Sequence, residues 1–208
     1  MSIKLSWKKW RVLSLRLSKM RLIFRLSYLL FFSFFFVNVS AQEPTEIKKK
    51  EMANISSIRE AGFIPIMKEL QISQEMTIID GEKNSEIITL DKMKGLNIVN
   101  FWASWCGPCI EEISELNKFQ EMILTKNLEV QLLGVNTFDK KKEAVDFYLK
   151  YKPFFKILFD NKNTISVKFS IMGVPETYFV KDNKILFKYM GKINQDILQR
   201  GINESLKY

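Results

Sequence analysis

From Gly62 onward, short apolar runs of strand length alternate with stretches in which apolar side chains recur every three or four residues. Residues 76–79 and 86–90 read as two short strands around an Asp80-Gly81 turn. Leu96 to Trp102 (LNIVNFW) is a dense apolar run, the pattern of a strand buried on both faces. Cys109, Ile113, Leu116, Phe119 and Ile123 keep helical spacing and predict an amphipathic helix. Further strands are predicted over 128–135 and 154–159, with a helix over 140–151 between them that Pro153 closes. Residues 164–169 read as a short helix for which Asn163 is the available cap. Residues 176–181 and 185–189 read as a hairpin turning at Asp182-Asn183, and 194–206 as a last helix. Helical crossovers followed by a hairpin predict an α/β protein with a central mixed sheet flanked by helices. A doubly wound nucleotide-binding fold shares this rhythm, but neither GxGxxG nor a P-loop sequence is present.

The chain before Gly62 follows another pattern. Leu26 to Val39 is a continuous apolar run, preceded by eight basic residues and no acidic one, and followed by the small residues Ser40-Ala41. This is the layout of a secretory signal cleaved after Ala41, or of a short membrane anchor if Leu22 to Phe24 are drawn in. Met20 opens a more compact version of the same signal and is an alternative start. Residues 42–60 are polar and charged and read as a linker or a loose surface helix. The expected organisation is therefore 1–41 signal or anchor, 42–62 linker and 63–208 folded domain. Charge changes the picture only at the N-terminus. The formal net charge of +9 leaves 24 Lys and Arg against 23 Asp and Glu in residues 42–208, so the balanced body gives no reason to expect nucleic acid as a partner.

The candidate chemistry lies between the third strand and the helix that follows it. Trp105-Cys106-Gly107-Pro108-Cys109 contains both cysteines of the chain. A thiolate at a helix start is stabilised by unpaired backbone N–H groups and by the positive end of the dipole, so Cys106 is the expected nucleophile. Cys109, one turn deeper, is the expected resolving thiol of a redox-active disulfide. Pro108 fits the first turn, where its missing N–H costs nothing. A zinc half-site would need further ligands, and the chain has no third cysteine and no histidine, so no metal is expected. Glu112 shares a helix face with Cys109, where a partly desolvated carboxylate would have a raised pKa and take the Cys109 proton. Glu111 falls on another face and is expected in solvent.

Asn100-Phe101-Trp102-Ala103-Ser104-Trp105-Cys106-Gly107-Pro108-Cys109, Gly134-Val135-Asn136 and Gly173-Val174-Pro175-Glu176-Thr177 together resemble the extracytoplasmic thioredoxin-like reductases of the TlpA, ResA and CcmG (DsbE) group. The likeness covers residues 63–200, and Gly107-Pro108 is the dipeptide of thioredoxin itself. It implies a thioredoxin-like fold and a glutamate base at the position of Glu112. It also places Asn100 where thioredoxin carries a buried acid. An amide cannot transfer that proton, so Asn100 is expected to be an ordinary hydrogen-bonded residue at the sheet end. Pro175 is the implied cis-proline facing the dithiol, which would leave the backbone of Val174 free to pair with an extended substrate. Trp102 is expected in the core, Trp105 over the dithiol touching substrate, and Glu176 beside the substrate groove.

The resemblance implies an exported thiol:disulfide oxidoreductase, located in the periplasm or on the outer face of the cytoplasmic membrane. Its cysteines carry the electrons and no cofactor is needed. The implied client is the CxxCH site of apocytochrome c, and the implied electron source is a membrane dithiol donor of the CcdA or DsbD type. Alternatives are the same chemistry on a copper-site protein of a respiratory oxidase, a thiol peroxidase, or a Cu(I) metallochaperone using both cysteines.

Overall fold

The computed structural model describes residues 45–70, 75–79, 87–89 and 93–208. The expected signal or anchor and the Asp80-Gly81 turn lie outside these residues. The described elements are helix α1 (Glu46–Glu60), strands β1 (Ile64–Glu69), β2 (Glu75–Ile79), β3 (Ile87–Thr89) and β4 (Leu96–Trp102), and helix α2 (Gly107–Thr125). After these come β5 (Val130–Asn136), α3 (Lys141–Tyr151), β6 (Lys156–Phe159), α4 (Thr164–Phe169), β7 (Glu176–Lys181), β8 (Lys184–Met190) and α5 (Gln195–Ser205).

The strands form one mixed sheet in the order β1-β8-β7-β4-β5-β6-β2-β3. The central strands β4, β5 and β6 are parallel, and every other pairing is antiparallel. Parallel strands need crossovers, and α2 and α3 supply them. Every residue of β4 is buried, as its dense apolar run predicts, and Asn97 and Asn100 are buried with it. Alternate residues of β4 feed two cores. Leu96, Ile98 and Trp102 join Ile113, Leu116 and Phe119 of α2, Phe147 of α3 and Leu198 of α5. Val99 and Phe101 join Ile165 and Phe169 of α4 on the other face. This is the α/β sandwich expected from the sequence.

Several local expectations need correction. Residues 64–69, to which the sequence pattern assigns no element, form β1 at the sheet edge, paired with β8. Pro65 and the register shift between Pro65 and Lys68 hide the strand pattern, and an edge is where a sheet tolerates both. β5 begins at Val130 rather than Leu128, because the Leu128 N–H still closes α2 by donating to the Ile123 carbonyl (3.0 Å). β6 begins at Lys156, after the Phe154 N–H has been taken by Asn117 Oδ1 (2.7 Å). Asn163 precedes α4 but does not cap it with its side chain; its backbone is left-handed. Asp160 does that work instead, accepting from the Ser166 N–H (2.8 Å) and hydroxyl (2.7 Å). Residues 46–60 take the helical form of the two expected, and Ile58 in the last turn is fully buried in the first core. The hairpin turns as expected, with Asp182 and Asn183 both at positive φ.

Helix α5 lies against β7 at Gly201, where an added Cβ would run into the ring of Phe179. That ring is itself fully buried and stacked on Phe187, with centroids 4.8 Å apart, so it has no room to retreat. Gly201→Ala is expected to destabilise the protein by about 1–3 kcal/mol, the cost of overpacking a filled core. Urea denaturation checks this, and an unchanged midpoint would mean that α5 can slide outward freely.

Candidate active site

The carboxyl end of β4 fixes the site. The strand leads into Ala103-Ser104-Trp105, and the Cys106 N–H turns back to the Ala103 carbonyl (3.1 Å) before α2 begins. Cys106 is the N-cap of α2, with an extended backbone, and its Sγ accepts from the Cys109 N–H at 3.2 Å. The sulfur thus takes one of the orphan donors of the helix start, a contact that favours negative charge on a sulfur at this position. Pro108 occupies the first turn. Cys106 and Cys109 are joined as a disulfide, and their exposures are 4% and 1%.

Glu112 lies one turn beyond Cys109 on the buried face of α2, and is itself 1% exposed. Its Oε1 accepts from Asn100 Nδ2 (2.8 Å) and its Oε2 from the backbone N–H of Ile193 (2.9 Å). Burial raises its pKa from 4.5 to about 7. The bonds from Ile193 and Asn100, and the positive charge of Lys192, pull the other way without cancelling that rise. The carboxyl is therefore poised to change protonation near neutral pH, as a proton acceptor beside a thiol needs to be. Glu111 points outward and pairs with Lys192 at 2.8 Å, as expected of a solvated neighbour.

Asn100 does more than fill the sheet end. Its Nδ2 bridges Glu112 and the hydroxyl of Thr177 (3.1 Å), tying α2 to β4 and β7. Sequence reasoning missed this role. The available signal was an amide on the helix-facing side of an otherwise apolar strand, where a buried polar side chain needs a partner.

On one side of β4, register places Phe101 opposite Glu176, so the segment before β7 lies at the same end of the sheet as the dithiol. The Val174-Pro175 peptide is cis, and the Pro175 carbonyl accepts from the Gly191 N–H (2.9 Å). Val174 is half-buried and packs against both cores. Glu176 was expected beside a substrate groove and is instead buried. It pairs with Lys188 (2.8 Å), accepts from the Tyr178 hydroxyl (2.8 Å), and holds the Met172 and Gly173 N–H groups at 3.0 and 3.2 Å. A buried carboxylate must be paired, and these bonds leave it holding the loop before Pro175 rather than facing a client.

On the other side of β4 lies the loop after β5. The Thr137 N–H donates to the Trp102 carbonyl (2.9 Å). Asp139 accepts from the backbone N–H (2.6 Å) and hydroxyl (2.9 Å) of Ser104, just before the dithiol. Trp102 is buried, whereas Trp105 is 65% exposed and its indole N–H reaches the Phe138 carbonyl (3.2 Å). Among the described residues, no group of three or more Cys, Asp or Glu side chains is placed to hold a metal ion.

Comparison with known proteins follows the same residues. The profile of the AhpC/TSA family matches residues 71–188. The thiol:disulfide interchange protein HelX of Rhodobacter capsulatus is 31% identical over 113 residues, which are 53% of this chain and 61% of HelX. The thiol-disulfide oxidoreductase ResA of Bacillus cereus is 27% identical over 146 residues, 66% of this chain and 80% of ResA. The crystal structure of a protein named as the thiol:disulfide interchange protein DsbE, from Chlorobium tepidum, superposes with a TM-score of 0.55 at 25% identity. It covers 68% of this chain and 99% of that one.

The raised pKa of Glu112 has a stability consequence with a definite sign. Between pH 4.5 and 7 the unfolded chain has lost the Glu112 proton while the folded protein keeps it. The group's contribution is therefore whole below pH 4.5 and is lost as pH rises to 7, on the order of 3 kcal/mol. Glu112→Gln is expected to remove that slope. Against the protonated wild type it costs about 1–2 kcal/mol, because the amide must turn its NH2 towards one of two donors, so the variant is the less stable of the two at pH 5 and no longer so at pH 8. Urea titrations of the oxidised protein at pH 5 and pH 8 check this, and parallel losses in wild type and variant would contradict it.

Proposed function

The chain belongs to the AhpC/TSA family, and from that premise we propose that it is a thiol:disulfide oxidoreductase of the DsbE, HelX and ResA type, reducing cysteine pairs of exported proteins. The observation that carries this reading is the buried carboxyl of Glu112, with its pKa near 7, one helical turn from a thiol pair at a helix start. Binding alone would not need a proton acceptor there. A thiol that must attack a neighbouring disulfide does.

In the reduced protein the Cys106 thiolate attacks one sulfur of the client disulfide. A Cys106–client disulfide forms, the client S–S bond breaks, and the released client thiolate takes a proton from water. Cys109 then loses its proton to Glu112 and attacks the Cys106 sulfur. The mixed disulfide breaks, Cys106–Cys109 forms, and the second client thiolate is protonated from Glu112 or solvent. Two electrons have passed to the client, and the protein is left in the disulfide form described above. An external dithiol, for which we propose a membrane donor of the CcdA or DsbD type, returns two electrons and restores the pair. We propose that the backbone of Val174 pairs with the extended client, and that Trp105 is the side chain the client meets beside the dithiol.

The proposed client is apocytochrome c, reduced at its CxxCH cysteines before haem attachment. The proposed place of action is the periplasm or the outer face of the cytoplasmic membrane, reached through residues 1–41. Both rest on the resemblance in the sequence and on the names HelX and DsbE among the relatives.

Cys109→Ser removes the resolving thiol, so the client should stay attached to Cys106. The variant is expected to capture apocytochrome c as a covalent complex that added thiol releases, and loss of the gene should lower c-type haem staining, partly restored by small thiols. Mass spectrometry of the trapped species and haem-stained gels check this. Normal c-type cytochromes together with lost copper-oxidase activity would move the client to a copper-site protein.

A further inference from the structure

Phe138 sits in a conformation that its own chemistry does not favour. Its φ is +57°, a left-handed backbone that bulky residues rarely adopt. Most other positive-φ side chains have a local reason. Asn127, Asn163, Asp182 and Asn183 are of the types that tolerate this region, Lys152 and Ser170 close helices, and Met67 lies in the irregular stretch of β1. Phe138 is neither a helix cap nor part of a bulge. It is also 45% exposed, so no core packing explains its ring.

The surrounding structure over-determines this conformation. The Phe138 N–H donates to Asn163 Oδ1 (3.0 Å), which also accepts from the Thr137 hydroxyl (3.1 Å). The Phe138 carbonyl accepts from the Trp105 indole N–H (3.2 Å). On the far side, Asp139 is clamped by Ser104 and by Asn136 Nδ2 (2.8 Å). Bonds on both sides therefore hold an exposed aromatic residue beside Trp105, one residue from the nucleophilic Cys106, across β4 from the Val174-Pro175 segment. Strain kept at such a place is the mark of a functional residue rather than of a folding requirement.

We propose that Phe138 is a specificity-determining residue: with Trp105 it forms an apolar contact for a side chain next to the attacked cysteine of an extended client segment. The client is a polypeptide carrying an aromatic or aliphatic residue beside its disulfide. This rests on the oxidoreductase reading, because only a chain bearing a disulfide has reason to lie across Cys106. An exposed aromatic residue whose backbone is already fixed, next to an indole tied to that backbone, has less freedom to lose on binding, which suits the two to anchor a partner.

The test uses one disulfide peptide in two forms, with Phe or with Gly beside the attacked cysteine, reduced by the full protein. Phe138→Asn and Phe138→Gly both suit the left-handed backbone and remove the ring. Wild type should prefer the Phe peptide, and in both variants the ratio of kcat/KM for the Phe peptide over the Gly peptide should fall about 10-fold, carried by KM. Both variants should melt no lower than wild type. An unchanged ratio, or a lower melting temperature in both variants, would mark the ring as a packing element and overturn the proposal. Failure of wild type to reduce either peptide would instead sink the oxidoreductase reading, and this inference with it.

Discussion

A carboxyl group buried beneath a dithiol is the constraint around which this site is arranged. Glu112 has no solvent to satisfy it, so its two oxygens take their donors from two separate elements, Asn100 on β4 and the Ile193 N–H before α5. Asn100 extends the connection to Thr177 on β7. Three parts of the fold thus meet at one side chain and a fourth, β7, is joined to it through Asn100, and none can shift without leaving a buried polar group unpaired. The same burial that demands these partners also lifts the pKa to about 7. Structure and chemistry are here two consequences of one desolvation.

The flanks of the dithiol are built by similar means. Glu176, paired with Lys188 and Tyr178, gathers the Met172 and Gly173 N–H groups and so fixes the segment leading to Pro175. Asp139, bound to Ser104 and Asn136, fixes the segment that carries Phe138. In both cases an acidic side chain is consumed internally, and what it presents outward is backbone or aromatic surface. On the Phe138 side two exposed aromatic residues, Trp105 and Phe138, are neighbours, joined through the indole N–H and the Phe138 carbonyl.

Residues whose type and spacing are themselves the signal were legible in the sequence. Cys106 and Cys109 two residues apart at a helix start, Glu112 one turn on, and the seven-residue apolar run of β4 each name their place without tertiary information. Pro175 was legible through its motif. What could not be read were features decided by partners far along the chain. The side chain of Asn163 looked free to cap α4, but it is occupied by Thr137 and Phe138, 26 and 25 residues away. The burial of Glu176 depends on Lys188 from the neighbouring strand, and β1 shows itself only through its pairing with β8. In each case competition between hydrogen-bond partners, not local propensity, decided the outcome.

The central claim is that Glu112 accepts the Cys109 proton, and the resolution step reports on it most directly. With a peptide joined to Cys106 as a mixed disulfide, the rate of its release can be followed from pH 5 to 9 in wild type and in Glu112→Gln. The account predicts that the wild-type rate rises through an apparent pKa near 7. It also predicts that the variant lacks this rise and is slower by on the order of 10²-fold at neutral pH. Superimposable profiles would contradict the account and leave Glu112 a structural residue.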